Sequence, residues 1–381
     1  MSNRIFLLMF VTIRYLHSLI RYISRRFCIS ALGKCNKQII NDSIEQITDF
    51  KEALVEMSYA DGIDKFIYSY KNKAVKPIKI LDIQHDMNIP IFICAVKNDL
   101  KRVKEQLDYH RKIGVKHFVY IDNLSDDGAF EWLEQQEDVS LLSVAETYMS
   151  EIRLSWYRQA TDIFGYDKWY LYMDSDEFFA YPGMEQKPIN EYIDFLDKNN
   201  IKSILTPMID MYSNKSLFSD SHSLLNDYCY FDSNTYVRGF KHSQIMIHGG
   251  PRMRLFAKFT KGKEIISSIA VISKYSLLKA EKHMLHGKHE NYPATLNFQT
   301  RKARAFLLHY KFIGSDFEKY NEIIKTENYA KGSREYKLYM KAFNRESELS
   351  FFYKDSVKYN DSLDLLKIKN ITDKKFFKQF L

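Results

Sequence analysis

Residues 169–179, WYLYMDSDEFF, decide the reading of this chain. Five apolar or aromatic residues, Trp169 to Met173, stop abruptly at three acids: Asp174, Asp176 and Glu177. So short an apolar run bounded by charge predicts a buried strand rather than a helix. Carboxylates at the end of such a strand oppose folding unless something compensates their charge. Alternation points Asp174 and Asp176 to one side and Ser175 to the other. Two hard oxygen donors converging on one point suit a divalent cation such as Mg²⁺ or Mn²⁺. A solvated acidic turn is the plain alternative, and Asp-x-Asp alone does not separate the two.

Upstream of this stretch the pattern is regular. Pro90 opens a strand, Ile91 to Val96. Residues 100–113 predict an amphipathic helix with Leu100, Val103, Leu107 and His110 on its inner face, stopped by Gly114. A second strand, His117 to Ile121, runs into the polar loop Asp122-Asn123-Leu124-Ser125-Asp126-Asp127-Gly128. A helix over 129–136, a strand over 139–144 and a helix over 151–164, ended by Gly165, complete the approach to Asp174. Strands alternating with helices predict an α/β fold: a mostly parallel sheet covered on both faces. Ligands in such folds bind outside the carboxyl ends of the strands. Both acidic loops, 122–127 and 174–177, lie at that edge.

Either side of this core the signals are looser. Residues 36–88 read as polar helix, with Lys-rich 71–79 as a connector. After residue 200 come a strand over 203–209 ending at Asp210, loop-like sequence to about 240, and the turn His248-Gly249-Gly250. A strand pair around 265–273, an apolar run ending at His309, and Lys-, Tyr- and Glu-rich helices follow.

The chain is 381 residues long with a formal charge of +8, which favours anionic partners. Its basic residues are scattered and form no nucleic-acid module, so nucleic acid is not an expected partner. Four cysteines, Cys28, Cys35, Cys94 and Cys229, lack zinc or disulfide spacing and fit a reducing compartment. At the N-terminus, IFLLMFVTI (5–13) is followed at short intervals by Arg14, His17, Arg21, Arg25 and Arg26. That is too short to span a bilayer and carries no signal-peptidase pattern. Residues 1–27 instead predict a basic amphipathic helix on an anionic membrane surface, with packing against protein as the alternative.

In this order the motifs resemble GT-A glycosyltransferases, especially family 2 and the related family 92 type. Val96-Lys97-Asn98, YHRKIGVKHFVYIDNLSDDG (109–128), WYLYMDSDEF, GGPRMRLF (249–256), SKYSLL (273–278) and LLHYKF (307–312) carry the resemblance across residues 90–345. It implies a GT-A (Rossmann-like) domain at 90–345, with a nucleotide-sugar half (90–180) and an acceptor half (181–345). Around it lie the interfacial helix 1–27, a helical extension 28–89 and a helical tail 346–381. It implies Mn²⁺ or Mg²⁺ held by Asp174, Asp176 and His309, and a nucleotide-sugar donor, most simply a UDP-sugar. Donor contacts fall on Asn98, Asp122, Asn123, Asp127, Arg252, Arg254 and Lys311. The two arginines share a face if their segment is extended, and surface ion pairs are their plain alternative.

The expected activity is hexosyl or related transfer to a glycan or glycolipid acceptor in surface polysaccharide assembly. The expected location is the cytoplasmic face of the membrane. One departure stands out: the Glu-Asp pair that commonly supplies the family 2 base is absent. Asp210 and Glu177 are the candidates, and inversion or retention stays open. A catalytically silent glycan-binding or scaffold module is a second reading. A nucleotidyltransferase is a third, opposed by the lack of a glycine-rich loop at Ala95–Asn98.

Overall fold

The computed structural model describes residues 49–57, 63–82, 88–217, 219, 223–241, 244–259, 271–287, 289–314, 316–327, 330–344 and 349–381. The expected interfacial helix with its arginines, Cys28 and Cys35, and most of the expected strand pair at 265–273 lie outside the described residues.

The main sheet contains β1 (Lys76–Lys79), β2 (Ile91–Val96), β3 (His117–Asp122), β4 (Val139–Ser143) and β5 (Lys168–Asp174), in the order β1-β4-β3-β2-β5. The strand Leu277–Ala280 closes the β5 edge. β4, β3, β2 and β5 are parallel, and both outer strands are antiparallel. The inner strands are buried almost throughout and mostly apolar because both faces are covered. Phe92, Phe118, Tyr120 and Trp169 pack on one face, and Ile93, Val119, Ile121 and Tyr172 pack on the other around Trp156. Register sets Val96 beside Asp122 and Ala95 beside Asp174, so both acidic loops leave the sheet at the same level.

The chain is therefore an α/β protein with a central parallel sheet and helices between its strands, as expected. The helices Leu100–Lys112 and Ser150–Phe164 end near Gly114 and Gly165, whose φ of +100° and +91° only glycine adopts without strain.

A second, three-stranded sheet positions the site. β6 (Glu177–Ala180) lies antiparallel to the strand Phe306–His309, which lies parallel to β7 (Met208–Asp210). Its register places Glu177, His309 and Asp210 in one row.

Several expectations are corrected. The Lys-rich 71–79 is not merely a connector, since β1 pairs with β4. The segment with Arg252 and Arg254 is not extended but helical, Gly250–Phe259. Residues 271–276 precede the edge strand without regular structure. The tail 349–381 is only partly helical, with a strand at Ser356–Lys358, a 3-10 turn at Ser362–Lys367 and a helix at Lys374–Phe380. No helix among the described residues is long and apolar enough to cross a membrane.

Candidate active site

A cleft of about 900 Å³ opens at the carboxyl edge of the parallel strands. One wall comes from the loops after β2, β3, β4 and β5, and the other includes Met208, Arg252, Lys274, His309, Lys311 and Tyr336. The turn after β5 forms its floor. Buried Gln106, from the helix after β2, donates to the carbonyls of Asp174 (2.7 Å) and Glu177 (2.8 Å) and so fixes that turn.

The acids of the turn have separate partners. Asp174 is ion-paired through one oxygen to Arg153 and through the other to Lys274 Nζ at 2.8 Å. Lys274 also pairs with Glu177 at 2.6 Å, and Glu177 is fully buried. Asp176 instead faces His309 Nε2 at 3.2 Å and keeps 27% of its side chain exposed. Burial raises the Asp176 carboxyl, but His309, Lys311 and Arg102 bring it well below its ordinary range. Burial likewise opposes charge on His309, and the carboxylates of Asp176 and Asp210 outweigh it, raising its basicity.

Among the described residues, Asp176, Glu177 and His309 each offer a ligand atom, and these atoms lie within 4.8 Å of one another. Two carboxylates with one imidazole fit a Mn²⁺- or Mg²⁺-like ion. Asp174, expected in the same ligand set, holds two cations instead.

The end of the cleft beside Asn98 and Asn123 is built by loops clipped together. Asn98, at φ +50°, accepts from Asp126 N (2.9 Å), and its own N–H donates to Ser125 Oγ (3.0 Å). Asp122 accepts from Ser125 N through Oδ2 (3.1 Å), while its buried Oδ1 has no hydrogen-bond partner among the described residues. Asn123 donates to the carbonyls of Val144 (3.0 Å) and Glu146 (2.9 Å), and its buried Oδ1 likewise has no partner among the described residues. Asp127 is spent on structure, accepting from Leu100 N (2.8 Å) and Ala129 N (3.1 Å) at the starts of two helices. Asn98 and Asn123 line the cleft; Asp122 and Asp127 do not.

On the opposite wall, helical geometry separates the two arginines, because residues two apart on a helix do not share a face. Arg252 is buried beside the cleft, held by Asp210 (2.7 Å) and Glu335 (3.4 Å). Arg254 pairs with Asp232 (2.9 and 2.8 Å), lies 4.1 Å from the Tyr353 ring and stays out of the cleft. Lys311 lines the cleft, its ammonium 4.7 Å from the Tyr336 ring. Of the two candidate bases, Asp210 is 2% exposed and Glu177 fully buried, and neither lines the cleft.

Sequence reasoning passed over Arg153, Lys274, Gln106 and Glu335. Lys274 sits inside the SKYSLL stretch yet was hidden among apolar neighbours. Arg153 and Gln106 lie on helices whose periodicity signals only packing.

No protein-family model and no curated protein matches the chain. Among solved structures, mannosyltransferase PcManGT from Pyrobaculum calidifontis, in complex with GDP-Man and Mn²⁺, is 14% identical with a TM-score of 0.24. That match covers 42% of this chain and 46% of the other. S. aureus TarS 1-349 is also 14% identical with a TM-score of 0.28, covering 63% of this chain and 64% of its own. The chain thus spans less than two thirds of either structure. Superpositions this loose carry no inference about chemistry, which rests on the residues described above.

Proposed function

We propose that this chain is a metal-dependent glycosyltransferase, moving a hexosyl or related group from a nucleotide-sugar to a glycan or glycolipid acceptor. The observation that carries this reading is the convergence of Asn123, Asp176 and His309 on one cleft at the carboxyl edge of a parallel sheet. The ordered motif resemblance across residues 90–345 agrees with it. Asp176 and His309, with Glu177 behind them, would hold the cation; Asp174 would help only after releasing Arg153 or Lys274. When bound, such an ion neutralises the leaving nucleoside diphosphate.

The chain's own residues do the rest. The orphaned Asn123 Oδ1 accepts an N–H from the nucleobase or a ribose hydroxyl. Arg153 and Lys274, held at the turn by Asp174, add positive potential beside the diphosphate. Lys311 supplies a further point charge from the opposite wall. We further propose that the acceptor enters along Tyr336, a partly buried ring that lines the cleft and suits stacking on a sugar face. The role in surface polysaccharide assembly, and attachment to the cytoplasmic membrane face through residues 1–27, belong to the same proposal.

A panel of nucleotide-sugars, UDP-sugars first, screened for hydrolysis with Mn²⁺, Mg²⁺ or chelator tests it. Turnover of at least one donor, abolished by chelator and by Asp176→Ala, is expected. Absence of both turnover and stabilisation by any nucleotide-sugar would overturn it in favour of a silent module. Flotation of the full chain with anionic vesicles, reversed by salt, tests the membrane clause.

A further inference from the structure

The row across the second sheet continues as a chain of side chains. Asp176 Oδ2 faces His309 Nε2 at 3.2 Å, His309 Nδ1 meets Asp210 Oδ1 at 2.6 Å, and Arg252 Nε donates to Asp210 Oδ2 at 2.7 Å. Asp210 and His309 are almost fully buried, at 2% and 4% exposure, so water does not substitute for these partners. Proton placement along the chain is then constrained. Arginine only donates, and an ionised carboxylate only accepts. Arg252, a permanent cation, meets Asp210 Oδ2 at 2.7 Å, the geometry of an ion pair with a carboxylate. Asp210 must therefore receive a proton from His309 Nδ1. In a neutral ring that leaves the Nε2 lone pair directed at the Asp176 side.

We infer that Asp210 is a positioning residue: its carboxylate fixes the His309 tautomer, presents Nε2 to the Asp176–Glu177 pair, and so sets that cluster's affinity for a divalent cation. The cation clause rests on the metal-dependent reading above; the ring clause rests on geometry alone. Each Asp210 oxygen has a partner, Arg252 on one and His309 on the other, and the residue lies off the cleft wall. A ligating imidazole whose second nitrogen is held by a carboxylate is oriented and made more basic as a ligand.

Asp210→Asn separates this role from simple packing. The amide keeps the shape but has one accepting oxygen. Arg252 cannot accept, so the amide oxygen turns to Arg252 and the amide NH₂ turns to His309 Nδ1. The ring answers by moving its proton to Nε2, which closes the metal-facing lone pair. Two measurements on the full chain follow. In ¹⁵N-histidine spectra, with His309→Gln identifying the signal, Nδ1 should be protonated in the wild type and bare in Asp210→Asn. Affinity for Mn²⁺ alone, by calorimetry, should fall roughly 10–100-fold.

Arg252→Lys is the companion variant: its ammonium keeps the positive charge and can still donate to Asp210, so Nδ1 should stay protonated and Mn²⁺ affinity close to wild type. A protonated Nδ1 in Asp210→Asn, or Mn²⁺ affinity equal to wild type, overturns the inference. A wild-type protein that takes up no Mn²⁺ overturns the cation clause together with metal dependence, and the ring signal still decides the tautomer.

Discussion

The two walls of the cleft are assembled differently. The wall from residues 91–180 hangs on four adjacent parallel strands, and its polar groups arrive in the loops that follow each strand. The opposite wall gathers Arg252, Lys274, His309, Lys311 and Glu335 from segments that share no local repeat. On the first wall most polar atoms bind neighbouring backbone, as Asn98, Asn123 and Asp127 do. On the second they bind side chains: Lys274 and His309 reach the acids of the turn, and Arg252 holds Asp210 and Glu335. The first wall is thus a pre-set rim, and the second supplies the charges that decide what the acids of the turn can do.

That contrast predicts where damage is greatest. His309→Ala removes the second wall's contribution to the candidate cation cluster. Transfer should drop by roughly a thousandfold or more, the several kcal/mol a metal ion supplies to a leaving group, and Mn²⁺ affinity should drop with it. Retained activity would dissolve the distinction between the walls.

Lys274→Met comes next. It leaves Glu177, fully buried, without its cation. Breaking a buried pair from one side costs about 3–5 kcal/mol, so the loss should appear in chemical denaturation before any assay is run. Asp174→Asn should cost less, because Lys274 keeps Glu177. Equal stabilities would show that Lys274 belongs to the rim and not to the floor.

Acid should weaken the first wall through His110, buried on the helix after β2. Its Nδ1 faces the Gln106 carbonyl at 2.7 Å and its Nε2 accepts from Phe179 N at 3.1 Å. Protonation would set two N–H groups against each other. Burial accordingly lowers this imidazole from 6.5 to about 3. A depressed folded value means that the unfolded chain takes the proton first. The stability contribution is therefore complete above pH 6.5 and is lost as pH falls toward 3. The slope is about 1.4 kcal/mol per pH unit. Denaturation of wild type and His110→Gln between pH 7 and pH 5 (an approximate working range) should show the shallower slope in the variant; parallel slopes would reject it.

The smallest effects distinguish neighbours on one loop. Asn123→Ala should weaken nucleotide binding by about 1–3 kcal/mol, the scale of a lost buried partner. Asp127→Ala should leave that affinity alone and cost about 1 kcal/mol of stability, as a helix-capping group does. Calorimetry and melting on the same two proteins decide both. Reversed outcomes would move the nucleoside contact to Asp127.

The same contrast explains what could be read before folding. The parallel core was legible because short β-rich runs, glycine stops and amphipathic helices repeat at close spacing. Asp176 was legible from its strand end, and His309 from a resemblance across the whole half. The separation of Asp174 from Asp176 was not. Alternation predicts a shared direction, but the strand ends at Asp174 and the chain turns before Glu177 opens β6. Which cations reach each acid depends on Arg153 and Lys274, contacts set by tertiary packing. A shared face for the two arginines of GGPRMRLF depended on an extended segment, whereas Pro251 sits in the first turn of a helix, where its missing N–H costs nothing.

The pairing of β1 with β4 has a practical side. Residues 49–79 are laced to the helix Ser150–Phe164, through Val75 N to Gln159 (3.1 Å) and Tyr70 to Asp162 (2.8 Å), with Phe50 and Phe66 packed beside Leu154. A shortened protein starting at Pro90 would strip β4 of its neighbour and leave Leu141 and Leu142 on an open sheet edge. Such an edge recruits strands from other molecules. Trimming from the N-terminus should therefore stop ahead of Asp49; cutting at the apparent start of the sheet trades a folded domain for a precipitate.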